Sequence, residues 1–123
     1  VHSGIESAGQ TIDALEAALE QKADCLLCGD DDIAFEVMRE LRMRHILVPN
    51  DLRVASLYDS SMLASITPSV SAVQYDAEQL GKTACRMLLD RLSEKETPMR
   101  QLEGYQVILR ESTKWMQRTR SIK

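Results

Sequence analysis

Residues 49–73, with the sequence PNDLRVASLYDSSMLASITPSVSAV, decide the fold. The segment begins with a Pro-Asn-Asp turn, continues as an apolar strand over 52–57, and passes through a polar stretch into one or two helical turns. A Thr-Pro pair then ends the helix before a second strand over 70–73. In open α/β sheets, ligands bind at the carboxyl ends of the strands, because strand ends and helix N-termini converge there. Since acidic and hydroxyl side chains directly follow the first strand, we expect the functional site at this edge.

Helices and strands alternate on both sides of this segment. The capping-box spacing of Ser7 with Gln10 and of Asp76 with Gln79, together with the spacing of apolar residues, predicts further elements. These are expected over residues 5–21 (helix), 25–28 (strand), 31–43 (helix), 76–93 (helix) and 104–110 (strand). Strands separated by helices form right-handed βαβ units, so we expect an α/β fold, a mostly parallel sheet with helices on both faces. Gly81 is expected to let the long helix approach the sheet closely.

The composition indicates one soluble globular domain. The chain has 123 residues, 44% of them apolar and 28% charged, with a net charge of −4. No apolar run approaches the roughly 20 residues that a membrane span needs, and residues 1–10 lack the pattern of a signal peptide. We therefore expect a cytoplasmic protein with one domain over residues 1–113 and a frayed basic tail over 114–123. Because phosphate contacts need clustered Lys and Arg, the acidic chain is not expected to bind nucleic acid by itself.

Cysteine and histidine residues do not predict a metal or redox site. Cys25 and Cys28 form a C-x-x-C pair, but they lie on a predicted strand, where an odd separation places the two side chains on opposite faces. Buried core thiols are the simpler interpretation. His2 and His45 are too isolated to form a cluster. We therefore predict neither a metal site nor a cofactor.

Three aspartates, Asp30, Asp31 and Asp32, follow the predicted strand over 25–28. One of them can cap the next helix, which leaves at least one carboxylate for another role. Two aspartates behind an apolar strand also have the outline of a Mg²⁺-dependent phosphatase motif of the haloacid dehalogenase type. That chemistry needs a Lys at a later strand end, and the sequence has none there. We therefore predict no catalytic residue and favour a binding function.

The helix over 31–43 carries an aromatic residue off its core-facing stripe. Phe35, the single Phe of the chain, lies beside Arg39 and Arg42 at helical spacing. An aromatic residue flanked by Arg is typical of the centre of a protein interface, although an exposed aromatic residue on a monomer is also common. The residues by themselves leave both interpretations open.

Several runs of the sequence resemble the effector-binding domain of bacterial transcription regulators of the lactose-repressor (LacI/GalR) family. In the central segment the resemblance lies in the Pro-Asn-Asp turn, the strand that ends in Tyr-Asp, and the Thr-Pro pair. The runs CLLCGDDDIAFEVMREL, AEQLGKTACRMLLDRL and VILREST extend it over about residues 7–114. The resemblance implies the C-terminal lobe of a periplasmic-binding-protein-like domain of type I.

The resemblance also implies a ligand site. Asp30 stands where the family usually has an effector-contacting Asn, and Asp31 where it has a helix-capping Asp. Tyr58 replaces the family's ligand-binding Asp, Asp59 stands at the second Asp, and Ser56 replaces a Gly. We expect Asp30, Tyr58 and Asp59 to contact a small-molecule effector, a carbohydrate or a related metabolite. The carboxylate of Asp30 disfavours an anionic effector.

A homodimer and an operator-binding domain complete what the resemblance implies. The expected dimer interface consists of Phe35, Met38, Arg39, Met62, Leu63 and Ile66. In the family the ligand lies between two lobes, lobe closure reshapes the dimer, and a separate N-terminal helix-turn-helix binds operator DNA. The first lobe and that domain are expected outside this sequence. The alternative is a lobe of a periplasmic-type sugar-binding transport protein, which shares this architecture, but the run VILREST favours the regulator.

Overall fold

The computed structural model describes residues 7–99, 101 and 104–114. The elements in chain order are α1 (Ala8–Glu20), β1 (Cys25–Cys28), α2 (Asp31–Met43), β2 (Arg53–Ser56), α3 (Ser61–Ser65), β3 (Ser71–Tyr75), α4 (Ala77–Leu92), β4 (Tyr105–Ile108) and a 3-10 turn (Glu111–Thr113). The predicted basic tail, apart from Lys114, lies outside the described residues.

One four-stranded sheet organises the chain, with the strand order β1-β2-β3-β4. The first three strands are parallel, and β4 runs antiparallel to β3. The predicted α/β class with a mostly parallel sheet is therefore confirmed. A strand parallel to β3 would need a connection that crosses back to the other end of the sheet. Strand β4 instead runs back along β3.

Helix starts follow the predicted capping residues. Ser7 Oγ accepts a hydrogen bond from the backbone N–H of Gln10 at 3.4 Å. Asp76 Oδ1 accepts one from the N–H of Gln79 at 2.9 Å. Each bond satisfies one of the N–H groups that a helix leaves without an internal partner in its first turn. Local sequence therefore fixes where α1 and α4 begin.

The described core lies on one face of the sheet. Side chains from α1, α2 and α3 pack there against alternate residues of the strands, in a cluster that includes Leu15, Ala34, Val37, Leu41 and Leu63 with Cys28, Val54, Val70 and Ala72. On the opposite face Leu27 and Val107 are exposed. Helices α1, α2 and α3 thus cover one face of the sheet. Burial raises the pKa of Cys28 to about 12, whereas Cys25 and Cys85 are exposed, so the prediction of buried thiols holds for Cys28 alone.

The long helix α4 does not pack against the sheet as predicted. A Cβ atom placed on Gly81 would have no neighbour within 4 Å, so this glycine makes no close approach. Large apolar side chains along the helix are exposed, with Leu88 at 60% and Leu92 at 72%. The prediction of a helix from the apolar spacing is confirmed. No surface of the described residues covers the apolar side of this helix.

Residues 110–113 connect the strands through side-chain hydrogen bonds. Ser112, which is fully buried, donates from Oγ to the carbonyl oxygen of Val54 at 2.6 Å and accepts from the N–H of Ser71 at 2.9 Å. Glu111 accepts from the N–H of Ser69 at 2.8 Å. The run VILREST, which the sequence offered only as a family signature, therefore connects β2 and β3.

Replacing Ser112 with Ala is expected to lower the free energy of unfolding by about 2 kcal/mol, because the buried Val54 carbonyl and Ser71 N–H lose their partner. Urea denaturation measures the difference. Ser65→Ala is the matched control, since the Ser65 hydroxyl bonds the Met62 carbonyl at an exposed position, and its effect should stay within about 0.5 kcal/mol. Equal denaturation midpoints for the two variants would contradict the bridging role of Ser112.

Candidate functional site

The residues predicted to bind ligand come together at the carboxyl edge of the sheet. Cys28 pairs with Ser56 across β1 and β2, and Ser56 pairs with Ala72 across β2 and β3. Asp30 and Tyr58 each follow one of these strand ends by two residues, and both are exposed. Parallel neighbouring strands thus bring two side chains 28 positions apart to one edge, where open α/β sheets bind ligands.

Asp30 has a structural role as well as an accessible position. Its Oδ1 accepts a hydrogen bond from the N–H of Ile33 at 2.8 Å, and its backbone is extended, as in an N-cap residue. The expectation that Asp31 caps this helix is wrong, because Asp31 already belongs to the first helical turn. One carboxylate oxygen of Asp30 thus serves as the helix cap while the residue stays exposed.

A tight turn holds the backbone of Tyr58, and the phenol ring is 50% exposed. Ser56 Oγ donates to the carbonyl oxygen of Tyr58 at 2.7 Å and accepts from its N–H at 3.1 Å. Ser56 itself is buried. The Ser that replaces a family Gly therefore folds the loop that presents Tyr58.

Asp59, which is predicted to contact the effector, forms an ion pair with Arg110. Its two carboxylate oxygens accept from Arg110 Nη1 at 2.6 Å and Nη2 at 2.8 Å. The side chains are only 7% exposed for Asp59 and 16% for Arg110, and Arg110 also donates to the Val70 carbonyl at 2.8 Å. The guanidinium lowers the pKa of Asp59. Both carboxylate oxygens of Asp59 are therefore bonded to Arg110.

Sequence reasoning missed Arg110 as a residue of this site. The ion pair joins positions 51 residues apart, and no local spacing connects them. The available signal was the charged pair Arg110-Glu111 directly after the apolar strand end Val-Ile-Leu. A charge in that position needs a partner if the fold buries it.

The predicted interface residues are divided between a surface groove and the core. A groove of about 390 Å³ lies between α2, residues 45–48 and residues 66–68, and its lining includes Phe35, Met38, Arg39 and Ile66. Leu63 is fully buried in the core, so it anchors α3 and offers no surface to a partner. Met62 is half-buried and does not line the groove. Arg39 forms an ion pair with Glu36 at 2.8 Å, which leaves the groove apolar with charged margins.

The described residues contain neither a metal-binding cluster nor a membrane-spanning helix. Across residues 7–99, 101 and 104–114, no three His, Cys, Asp or Glu side chains are grouped so that they could hold a metal ion. In the same part of the chain, every helix is too short or too polar to cross a membrane.

Known proteins share this fold. Residues 1–113 match the family model of the periplasmic binding protein-like domain. The HTH-type transcriptional regulator RegA of Clostridium saccharobutylicum is 33% identical over 97 residues, which cover 77% of this chain and 29% of RegA. A PurR family transcriptional regulator from Vibrio parahaemolyticus has a TM-score of 0.76 and 27% identity, over 92% of this chain and 42% of that one. A LacI family transcriptional regulator from Arthrobacter sp. FB24, in complex with lactose, has a TM-score of 0.69 and 28% identity, over 89% and 42%.

The mostly parallel sheet flanked by helices and this family match define a domain of the periplasmic binding protein-like type. The chain belongs to the periplasmic binding protein-like domain family, in its LacI/GalR branch of transcriptional regulators, as predicted. The matched relatives are regulators and not enzymes. The chain spans less than half the length of each of these relatives.

Replacing Asp59 with Ala is expected to lower the free energy of unfolding by about 3 kcal/mol at neutral pH, because the mostly buried guanidinium of Arg110 loses its partner. Arg110 lowers the pKa of Asp59. The contribution is therefore fully present above the ordinary Asp pKa of about 3.9 and is lost as the pH falls through the lowered value. Urea denaturation of wild type and variant at neutral and acidic pH measures the difference.

Asp13→Ala is the control for this measurement, since Asp13 is an exposed residue of α1. Its effect should be small at every pH. A difference between wild type and Asp59→Ala that stays constant down to strongly acidic pH would contradict the ion pair as its source.

Proposed function

We propose that this chain is the effector-binding and dimerisation lobe of a bacterial LacI/GalR-type transcriptional regulator. The observation that carries the proposal is the edge where Asp30 and Tyr58 follow neighbouring parallel strands with exposed polar groups. The relatives support it, since they are transcriptional regulators that share the fold. The regulator acts on operator DNA, so its place of action is the cytoplasm.

The rest of the regulator completes the site. In this proposal a first lobe closes over the carboxyl edge, and a separate helix-turn-helix domain binds the operator. The match to RegA supports this, because the aligned part of the chain covers only 29% of the length of RegA. The exposed apolar side of α4, with Leu88 and Leu92, supports it too, because so large an unpaired apolar face indicates a missing packing partner.

The proposed effector is an uncharged, sugar-like molecule. The free oxygen of Asp30 accepts hydrogen bonds from sugar hydroxyls, and the phenol of Tyr58 both donates and accepts. The carboxylate disfavours an anionic effector. The similar Arthrobacter regulator was solved with lactose, which supports the same ligand class here.

The apolar groove lined by Phe35 and Ile66 is the proposed dimer interface. Aromatic and Arg side chains around an apolar centre are the composition of interface hot spots. Phe35 is half-buried and Arg39 is exposed at the margin. A second copy related by two-fold symmetry would place the same groove against itself, as in most homodimers.

Replacing Phe35 with Glu should weaken self-association by at least about tenfold, because the new carboxylate loses water in an apolar contact. Analytical ultracentrifugation over a concentration series measures the dimer dissociation constant. Gln21→Glu is the matched control, since it adds the same charge at an exposed position after α1. An unchanged dissociation constant for Phe35→Glu would exclude the groove as the interface.

Replacing Asp30 with Asn tests the ligand edge without removing the helix cap, since Asn caps a helix as well as Asp does. The affinity of the full-length protein for an uncharged disaccharide such as lactose should fall about fivefold, because a charged acceptor becomes neutral. Tyr58→Ala should lower the affinity about tenfold, because the ring and its hydroxyl no longer contact the sugar. Isothermal titration calorimetry measures both, and thermal unfolding shows that the fold is kept. Wild-type affinity in both variants would remove these residues from the site.

A further inference from the structure

The groove that we propose as the dimer interface combines apolar and basic side chains. Among the described residues, every ionisable side chain of its lining is basic, namely Arg39, Arg42 and His45. The other described side chains of the lining are uncharged, and most of them are apolar. A partner that covers this groove therefore meets apolar surface and cations, and it meets no carboxylate from the described lining.

The three basic side chains differ in how far they are neutralised. Arg39 is paired with Glu36 at 2.8 Å and with Glu40 at 3.8 Å. Arg42 Nη2 donates to a backbone carbonyl oxygen of the opposite wall at 2.5 Å, and no carboxylate of the described residues pairs with its guanidinium. His45 is exposed and likewise has no carboxylate partner in the described part of the chain. The groove thus keeps one unneutralised cation, and protonation of His45 adds a second.

The remaining charged groups around His45 are bonded elsewhere. Its chain neighbour Arg44 is paired with Glu16 of α1 at 2.9 Å and with a carboxylate of α2 at 3.7 Å. Asp51 accepts a hydrogen bond from a backbone N–H at 2.9 Å and does not line the groove. Residues 61–69, which include α3 and the opposite wall, contain no ionisable side chain. None of these groups supplies the groove with a free negative charge.

A backbone motif fixes the place of His45 at the end of α2. The N–H of His45 donates to the carbonyl oxygen of Arg42 at 3.1 Å, and the N–H of Ile46 donates to that of Leu41 at 2.9 Å. These two bonds form the Schellman motif, whose central residue adopts the left-handed conformation. His45 accordingly has a φ angle of 57°. Its backbone is therefore held next to Arg42, at the mouth of the groove.

A two-fold contact would set this groove against itself. In such an interface the same surface of each copy faces the other, so the basic side chains of both copies approach one another. Like charges that are brought together at an interface oppose association, and the cost rises as water is excluded. Histidine is the side chain that changes its charge between about pH 5 and pH 8. The number of positive charges that meet in the contact therefore changes within this range.

We propose that protonation of His45 weakens the self-association of this chain. With neutral imidazoles, the apolar contact outweighs the repulsion between the two copies of Arg42. Protonation adds one cation to each copy, so the dimer must release protons as it forms. Self-association is therefore strong at the upper end of the range and is lost as the pH falls. This inference rests on the proposed function, because it describes how the proposed dimer interface is regulated.

The test measures the dimer dissociation constant of the full-length protein by analytical ultracentrifugation at about pH 8 and about pH 5.5, near the two ends of the range in which histidine changes its charge. The wild-type constant should be about tenfold larger at the lower pH. His45→Asn removes the charge and tolerates the left-handed backbone, so its constant should change less than about twofold. His45→Lys stays charged and should dimerise weakly at both values. A lysine is accommodated in this conformation, since Lys22 has a φ angle of 55°.

Two controls identify the source of the pH effect. His2→Asn changes the other histidine of the chain and should keep the wild-type pH dependence. Salt at roughly 1 M should shrink the pH effect, because it shortens the reach of charge repulsion to about 3 Å. Thermal unfolding at both pH values verifies that each variant is folded.

The outcomes separate this inference from the proposed interface. A pH effect that persists in His45→Asn, or a wild-type constant that is the same at both pH values, overturns the role of His45. If Phe35→Glu still weakens the dimer at the higher pH in that case, the proposed interface stands. An unchanged constant for Phe35→Glu at the higher pH overturns the groove as the interface, and the inference with it.

Discussion

The ion pair between Asp59 and Arg110 is the contact on which the functional edge depends. Asp59 lies between Tyr58 and Ser60, the residue that precedes α3, so it fixes both the ligand-side loop and the start of that helix. Arg110 follows β4 and also holds the carbonyl of Val70 at the entrance to β3. Because both charges are mostly out of water, separating them is costly. The loop after β2, helix α3, the start of β3 and the end of β4 therefore behave as one unit.

Local features of this fold were readable from the sequence, and long-range ones were not. The caps at Ser7 and Asp76 follow from residue type and spacing within four positions, and they were predicted correctly. The wrong prediction of a cap at Asp31 came from the family resemblance. The extended backbone of Asp30 shows that Asp30 is the N-cap residue. The ion pair of Asp59 could not be foreseen, because its partner is 51 residues away and depends on the register of β3 and β4.

Burial was the least predictable property, since it depends on what surrounds an element. The spacing of apolar residues identified α4 as an amphipathic helix, but Leu88 and Leu92 face no partner among the described residues. Leu27 likewise ends on an open face of the sheet, although its strand reads as continuously apolar. Leu63 shows the opposite error, because a residue expected at an interface fills the core. An apolar pattern says that a side chain will be covered, and it does not say by what.

The same geometry explains how a ligand at the edge could influence a partner at the groove. Ile66, which lines the groove, lies eight positions after Tyr58, and between them Leu63 fixes α3 in the core. A close-packed core transmits displacement instead of absorbing it, so a shift of the Tyr58 loop would move α3 as a body. The loop is also held to Arg110, which limits that shift to motions shared with β4. Coupling between two sites requires a ligand to favour one arrangement of such a unit over another. Under the proposed function, the unit joined by Asp59 and Arg110 connects the Tyr58 loop to the groove, and the two arrangements would differ there.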